Sequence, residues 1–580
     1  MPRDTQARNH LSQVLCCALF LLVLLLAGCS ADANSSSQLA PDQTFTWPIT
    51  HAANFNALII DPANTPDLYS YSVVSLLFSG LVTTDQNLNV VPDLATWKIS
   101  PDGLQYTFSL QSDLHFSDGT PLTTQDFAYS IDRSLDPQTC VPISGPGCHM
   151  RNTSLLDIVG GADRAAGRIP TDINVGIFAQ DALTLVIKLT HPVSHFLEAM
   201  TTSLAFPVEQ PFLQKYGQNY QQHTDWTQHL DVGGCSGPFI LKSYGDGKVL
   251  TFVPNPYWHG PQLTLKRLVR PIVPDLTDTY VGFSQGKYDE TDVPPEDYHQ
   301  ARDEGDFHEI GLLSEQFLGI NELAPPFTDL RVRQAFALAL NKQLIADRAL
   351  EGSALPTNHI VPQGEPGFFD SLTATGSDTR TVTGDVDKAQ TLISGYFSSC
   401  GCQSLTVTLT YPNDAKRTSV AQIMIPMWET VLSGTWGQVQ VIPNPVSFQQ
   451  LAVTDFAATI GHSGPLQMWL IGLSANYPDP FNWLNSVFSP GSSLNVFNYR
   501  DGAQFTAWAV MQQADAQQDT QQRLELYNQA EQQLVNAALE IPYDQEKGIW
   551  RIKSYIQGFN LTALQRLSDL AWVNVRVLAH

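Results

Sequence analysis

Strand-like and helix-like runs alternate along nearly the whole of this 580-residue chain, and no fixed-period repeat or long stretch of a single type interrupts them. That alternation admits layered α/β architecture and argues against a helical repeat or an all-β sandwich. The runs TFTWPIT and ALIIDP read as short extended segments before proline, and LTLVIKLT (183–190) and SLTVTLTYP (404–412) alternate with the period of a strand. TWKISPDGLQYTFSLQ (96–111) reads as a hairpin, because Tyr106, Phe108 and Leu110 follow a Pro-Asp-Gly turn. YSVVSLLFSGLV (71–82) carries helix spacing, and TTQDFAYSIDRSL opens a helix on Thr123 or Thr124. Beyond Phe327 the texture is more helical. FTDLRVRQAFALALNKQLIADRAL places Leu330, Ala335, Leu338, Ile345 and Leu350 among strong helix formers behind Thr328 or Asp329 as cap. The Gln-rich stretch from Ala503 to Leu539 keeps Leu524, Tyr527, Leu534 and Val535 in helical register, and RIKSYIQGF returns to strand. A length of 580 implies two to four domains with substantial cores.

Charge narrows the function classes. The formal charge of −25 leaves no broad basic face for nucleic acid. Only 15 % of residues are charged, against roughly 25 % in an average domain, so amides and hydroxyls solvate much of the surface. The chain opens with Arg3 and Arg8, then VLCCALFLLVLLLAG, which is too short and too terminal for a comfortable span but suits a secretory leader. Leu26-Ala27-Gly28-Cys29 resembles a bacterial lipobox. The expectation is a leader over 1–28, a diacylated Cys29, and a polar tether over 29–43 at the outer face of the cytoplasmic membrane. Outside the cytoplasm thiols oxidise. Cys140 and Cys148 bracket a Pro/Gly loop and are the candidate disulfide; Cys400 and Cys402 read as too close for an unstrained bridge, which makes Cys235 a partner for one of them.

Enzyme and metal motifs are missing. There is no Gly-x-Ser-x-Gly elbow, His-Glu-x-x-His, Walker loop or dinucleotide fingerprint, and Gly461-His462-Ser463-Gly464 lacks the final glycine position of a nucleophile turn. His191 and His195 lie four apart with no third ligand evident, so no metal and no cofactor are expected. SDGTPLT (117–123) reads as a turn feeding a helix cap. Arg331 and Arg333 fall on different helix faces, one tied to carboxylates and the other solvated.

Taken together, the stretches IIDPA (59–63), LFSGLV (77–82), VVPDLATWKISPDGLQYTFSL (90–110), FSDGTPLTTQDFAYSIDR (116–133), GPFILKSY (237–244), NPYWHG (255–260), PPFTDLRVRQAFALALNK (325–342) and IPYDQ (541–545) resemble, in order, the extracellular solute-binding lipoproteins of family 5, which serve oligopeptide, dipeptide and nickel ABC importers. The resemblance implies a two-lobed periplasmic-binding-protein-like fold (type II, cluster C) with an extra domain in the first lobe. It implies domain I over 44–62, 206–312 and 547–580, the extra domain II over 63–205, and the opposing domain III over 313–546. It also implies a monomer that captures a peptide or other small solute and hands it to permease and ATPase subunits.

In the family's peptide binders a Trp-x-x-Asp pair sits at the cleft and the acid meets the ligand's α-ammonium. Here that run reads Gly472-Leu473-Ser474-Ala475-Asn476, so the aromatic is Leu473 and the acid is an amide. A carboxylate facing a buried ammonium contributes roughly 1.5 to 3 kcal/mol, which an amide cannot supply. The candidate ligand-contacting residues are Leu473, Ser474, Asn476, Tyr477, Asp479, Phe317, Asn321 and Leu68, with Asp479 also readable as a turn residue of Tyr-Pro-Asp-Pro. Asn476 keeps open a ligand other than a free-amine peptide, an oligosaccharide or metal chelate among them. A secreted hydrolase and a signalling lipoprotein are the remaining alternatives.

Overall fold

The computed structural model describes residues 38–50, 58–65, 67–139, 155–170, 173–217, 225–492, 494–500 and 507–580. Cys29, Cys140 and Cys148 lie outside the described residues, and with them the expected lipidation and the candidate disulfide. Among the described residues no helix is long and apolar enough to cross a membrane.

Three sheets carry the architecture. A four-stranded sheet joins Thr44–Thr46, Arg267–Pro271, Val249–Pro254 and Phe239–Gly245, in that spatial order. A second joins Ala95–Ile99, Gln105–Leu110, Thr184–Lys188 and Ile177–Ala179. The third and largest has seven strands, and at its centre Phe307–Ile320 (the outgoing strand) runs antiparallel to Glu540–Ile552 (the returning strand). Met468–Ser474 flanks the outgoing strand, Ser404–Pro412 and Gln438–Val446 extend that side, and Glu290–Asp292 flanks the far end of the returning strand.

Both long strands enter two cores. Trp550 and Ile552 pack with Phe45, Phe239 and Trp572, whereas Ile541 and Tyr543 pack with Val407, Trp428 and Leu470. The molecule is two-lobed, and a pair of paired strands joins the lobes. The Ala95–Leu110 sheet closes a separate core around Phe108, Phe116 and Phe127, and a further core gathers Phe317, Trp469, Trp483 and Tyr527.

Local chemistry sets most element ends. Helix Thr124–Leu135 starts in a capping box of Thr123 and Asp126, and the 96–111 hairpin closes through Gly103 at φ +70°, the left-handed region that glycine enters without a Cβ clash. Helix Leu68–Leu77 is capped by Asp67, which accepts from Ser70 N–H. SLTVTLTYP is a strand over its full length, 404–412. The leucine-rich run after Phe327 is two helices, Leu330–Leu338 and Lys342–Arg348, because Asn341 leaves helical geometry and caps the second through Leu344 N–H. The described part of ALIIDP, residues 58–62, is not a strand. Asp61 is fully buried, caps the short helix Pro62–Asn64, and takes a two-pronged bond from Arg133 at 2.8 and 2.6 Å.

Two further expectations are corrected. Cys400 pairs with Cys402 and leaves Cys235 a buried free thiol. Helix Val386–Cys400 ends at Gly401, whose φ of +67° turns the chain back and sets the two Cα atoms 5.3 Å apart, inside the range a disulfide needs. Arg333 is not solvated: it is buried and donates to the carbonyls of Ala537 and Phe327, while the more exposed Arg331 pairs with Asp329.

Candidate functional site

A cleft of about 1080 Å³ lies against the joining strands and takes walls from both lobes. On the first-lobe side it is lined by Trp47, the start of helix Leu68–Leu77 with Tyr69 and Tyr71, Arg270, and Glu290 and Asp292 of the short flanking strand. From the second lobe come Lys416 and Ser419 of helix Ala415–Leu432 and the segment Ser474–Asn476; Glu546 and Trp550 of the returning strand form the floor.

The sequence-derived candidates divide sharply. Leu68, Ser474 and Asn476 line the cleft, with Ala475 between the last two. Strand alternation explains why Leu473 does not: successive side chains face opposite sides, so Ser474 looks into the cleft while Leu473 packs on the core beneath Trp483 and Phe488. Tyr477 is buried and lies parallel to the ring of His195, with Phe481 closer, 3.8 Å from the same imidazole. Asp479 accepts from Phe481 N–H and pairs with Arg523 at 2.6 Å, so its carboxylate is spent on a turn and a buried ion pair. Phe317 is core, beside Phe497. Asn321 is fully buried and donates to the carbonyls of His462, Ser463 and Leu466, which turns the Gly461–Gly464 run into a stapled loop. These five residues, Leu473, Tyr477, Asp479, Phe317 and Asn321, stand behind the cleft wall.

The polar surface of the second-lobe side is a connected row. Ser474 Oγ donates to Ser314 Oγ at 3.0 Å, Ser314 Oγ donates to Glu546 Oε2 at 2.7 Å, and Glu546 Oε1 meets Lys416 Nζ at 2.5 Å. The Lys416 ammonium and these hydrogen bonds hold the Glu546 carboxyl below its usual range despite burial. Asn476 is exposed, and its N–H and Nδ2 make only long contacts of 3.4 Å to Asn482 Oδ1.

The first-lobe side is different. Arg270 lies 3.7 Å from the centre of the Trp47 ring and spends its donors on the carbonyls of Trp47, Pro48 and Ser72 and on Ser72 Oγ. Burial pulls the guanidinium down to about 9, and Glu290 and Asp292 push the other way. Glu290 is 3 % exposed, and burial first and Asp292 second raise its carboxyl well above the ordinary value. Burial raises the Tyr69 phenol, and the carboxylates of Asp292, Asp67 and Glu546 raise it further. Sequence reading missed Trp47, Tyr69, Arg270, Glu290, Asp292, Lys416 and Glu546. Nothing in GKYDETDVPP marks Glu290 beyond its period-two spacing from Asp292, since the strand meets Arg270 only through long-range packing.

A two-lobed α/β chain whose lobes are joined by paired strands and share a large cleft defines a solute-binding protein. A family model described as bacterial extracellular solute-binding proteins, family 5 Middle, matches residues 89–495, and the chain belongs to that family. It is 28 % identical over 540 residues to the probable deoxycholate-binding periplasmic protein YgiS of Escherichia coli strain K12, covering 92 % of this chain and 93 % of the relative. It is 25 % identical over 570 residues to the periplasmic oligopeptide-binding protein OppA of the same strain, covering 97 % and 98 %. In fold it matches the Escherichia coli murein tripeptide binding protein MppA, with a TM-score of 0.72, 23 % identity and coverage of 94 % and 100 %. Haemophilus influenzae OppA in complex with RPPGFSPFR gives a TM-score of 0.72 at 21 % identity, covering 93 % and 100 %.

Proposed function

We propose that the protein is the extracytoplasmic receptor of an ABC importer, anchored through Cys29, that takes a peptide into the cleft, closes its lobes over it and presents the closed form to permease and ATPase subunits. The observation that carries this reading is the cleft itself. At about 1080 Å³ it is at or above the upper end of small-molecule pockets, and its walls come from both lobes, so one ligand touches both. Closure is favoured by whatever the ligand gains from both walls at once. The hydroxyl row Ser474–Ser314 suits an extended backbone. The relatives named for oligopeptides support a peptide ligand.

A second reading, a non-peptide solute, is favoured by one observation: the cleft presents Asn476 where the family's peptide binders present an acid, and one relative is named for deoxycholate. Mass spectrometry of the solute retained through a native purification separates the two. Recovered peptides support the first reading and a recovered non-peptide overturns it. Fatty-acid labelling of the expressed chain, lost in Cys29→Ala, tests the anchor.

A further inference from the structure

Asn476 removes the carboxylate that would meet an ammonium from the second lobe, yet the cleft is not short of carboxylates. Glu290 and Asp292 are two apart on one short strand, so both side chains face the same way, and both line the cleft. Thr291 between them faces the other way and is buried against Thr279. The strand is held in register by the returning strand, Glu290 opposite Ile552 and Asp292 opposite Trp550, so the carboxylates sit on a rigid edge rather than a loop.

Glu290 is a nine-tenths buried carboxylate that makes no hydrogen bond and has no cationic group within 4.0 Å among the described residues. The cations of the same cleft direct their hydrogen bonds elsewhere, although the Arg270 charge is felt by Glu290 and Arg566 Nη2 has no hydrogen-bond partner among the described residues. Arg270 is bonded to backbone carbonyls and Ser72, Lys416 to Glu546, Lys547 to Tyr298 and Gly352, and Arg566 to Tyr71. The phenol of Tyr69, also on the wall, lies in the field of Asp292, Asp67 and Glu546. A carboxylate that is 3 % exposed, lines the cleft and is opposed only by the more distant Arg270 guanidinium is a cost to the folded chain that a cationic ligand reduces. The face of an aromatic ring beside such acids adds to the attraction for an ammonium. Among the described residues no group of three or more acids, histidines or cysteines is placed to hold a metal ion, so the cation in question is an organic one.

We propose that Glu290 and Asp292, together with the ring of Tyr69, form the subsite that takes an ammonium group of the solute, on the first-lobe wall and not at residue 476. The ligand class is an organic ammonium: the α-ammonium of a peptide, if the peptide reading holds, or a free polyamine. The inference rests on the proposed solute capture in this cleft but not on the solute being a peptide.

The test uses the full mature chain and three probes in titration calorimetry: a pool of lysine-free synthetic pentapeptides with free amino ends, the same pool N-acetylated, and spermidine. The wild type is expected to prefer the free-amine pool by about 10- to 100-fold, the worth of one charge-assisted contact to a desolvated carboxylate. In Glu290→Gln/Asp292→Asn that preference falls to about 3-fold or less. If wild type takes free and acetylated peptides equally, the subsite is overturned and the peptide reading stands. If only spermidine binds, and the double variant loses it, the peptide reading fails and the subsite stands. If the double variant discriminates like wild type, or if no probe binds wild type, the subsite is overturned. Should the double variant fail to fold, Glu290→Gln alone carries the comparison.

Discussion

The buried Glu290 carboxyl makes a stability prediction that needs no ligand. Burial and the neighbouring Asp292 raise this acid well above 4.5, so between pH 4.5 and its raised value the folded chain holds a proton that the unfolded chain has released. Stability from this group is therefore present at low pH and falls as pH rises, at a limiting slope of about 1.4 kcal/mol per pH unit. Glu290→Gln removes the titration but keeps the shape. Its stability relative to wild type should grow by about 1.4 kcal/mol per pH unit from just above pH 5, and the two proteins should converge near pH 4. The assay is guanidinium unfolding of the ligand-free chain lacking residues 1–28 at half-unit pH steps, followed by tryptophan fluorescence. Wild-type and variant curves that stay parallel from pH 4 to 8 would refute the reasoning, as would a variant less stable at pH 8 than at pH 4 relative to wild type. The expected outcome also separates function from structure: the substitution that stabilises the empty protein weakens its hold on an ammonium.

Other outcomes follow from buried chemistry away from the cleft. Arg133→Ala leaves the fully buried Asp61 carboxylate without its two-pronged partner and should cost about 3 to 5 kcal/mol in denaturant unfolding; a loss under 1 kcal/mol contradicts the role given to the pair. Burial pushes the Cys235 thiol up to about 12, so N-ethylmaleimide should leave it unlabelled in the native protein at pH 7.5 and label it after unfolding, read by peptide mapping. His195, dry and without a hydrogen-bond partner on either ring nitrogen, is pulled down to about 4 mainly by burial, whereas the hydrogen bond that His191 donates to Asp157 raises His191 to about 9. Imidazole NMR titration from pH 5.5 to 7.5 should show His195 neutral and His191 charged throughout. A midpoint for either near 6.5 would contradict the packing around it. The His195 shift destabilises the folded chain as pH falls from 6.5 toward 4, because the unfolded imidazole binds the proton first.

The sequence alone was enough to name the architecture. Period-two alternation in 404–412, the Pro-Asp-Gly hairpin at 96–111 and the Thr123 cap each follow from interactions within a few residues, and such local preferences survive in any surroundings. The run Gly472–Asn476 was recognisable only through its resemblance to the family's cleft run, and Ser474 and Asn476 do reach the cleft. Which neighbours reach it was not legible. Tertiary packing turned Leu473 and Tyr477 inward, gave Asp479 to an arginine 44 residues away, and placed Arg523 where no local pattern could announce it. Gly401 similarly decided the cysteine pairing by one left-handed residue. The charge of the cleft is the clearest case. Glu290 and Asp292 acquire their chemistry only because Trp47 and the Ser72 region occupy Arg270 from positions some two hundred residues away. Electrostatic character of that kind depends on burial and on which partners are already taken, and both are properties of the folded whole.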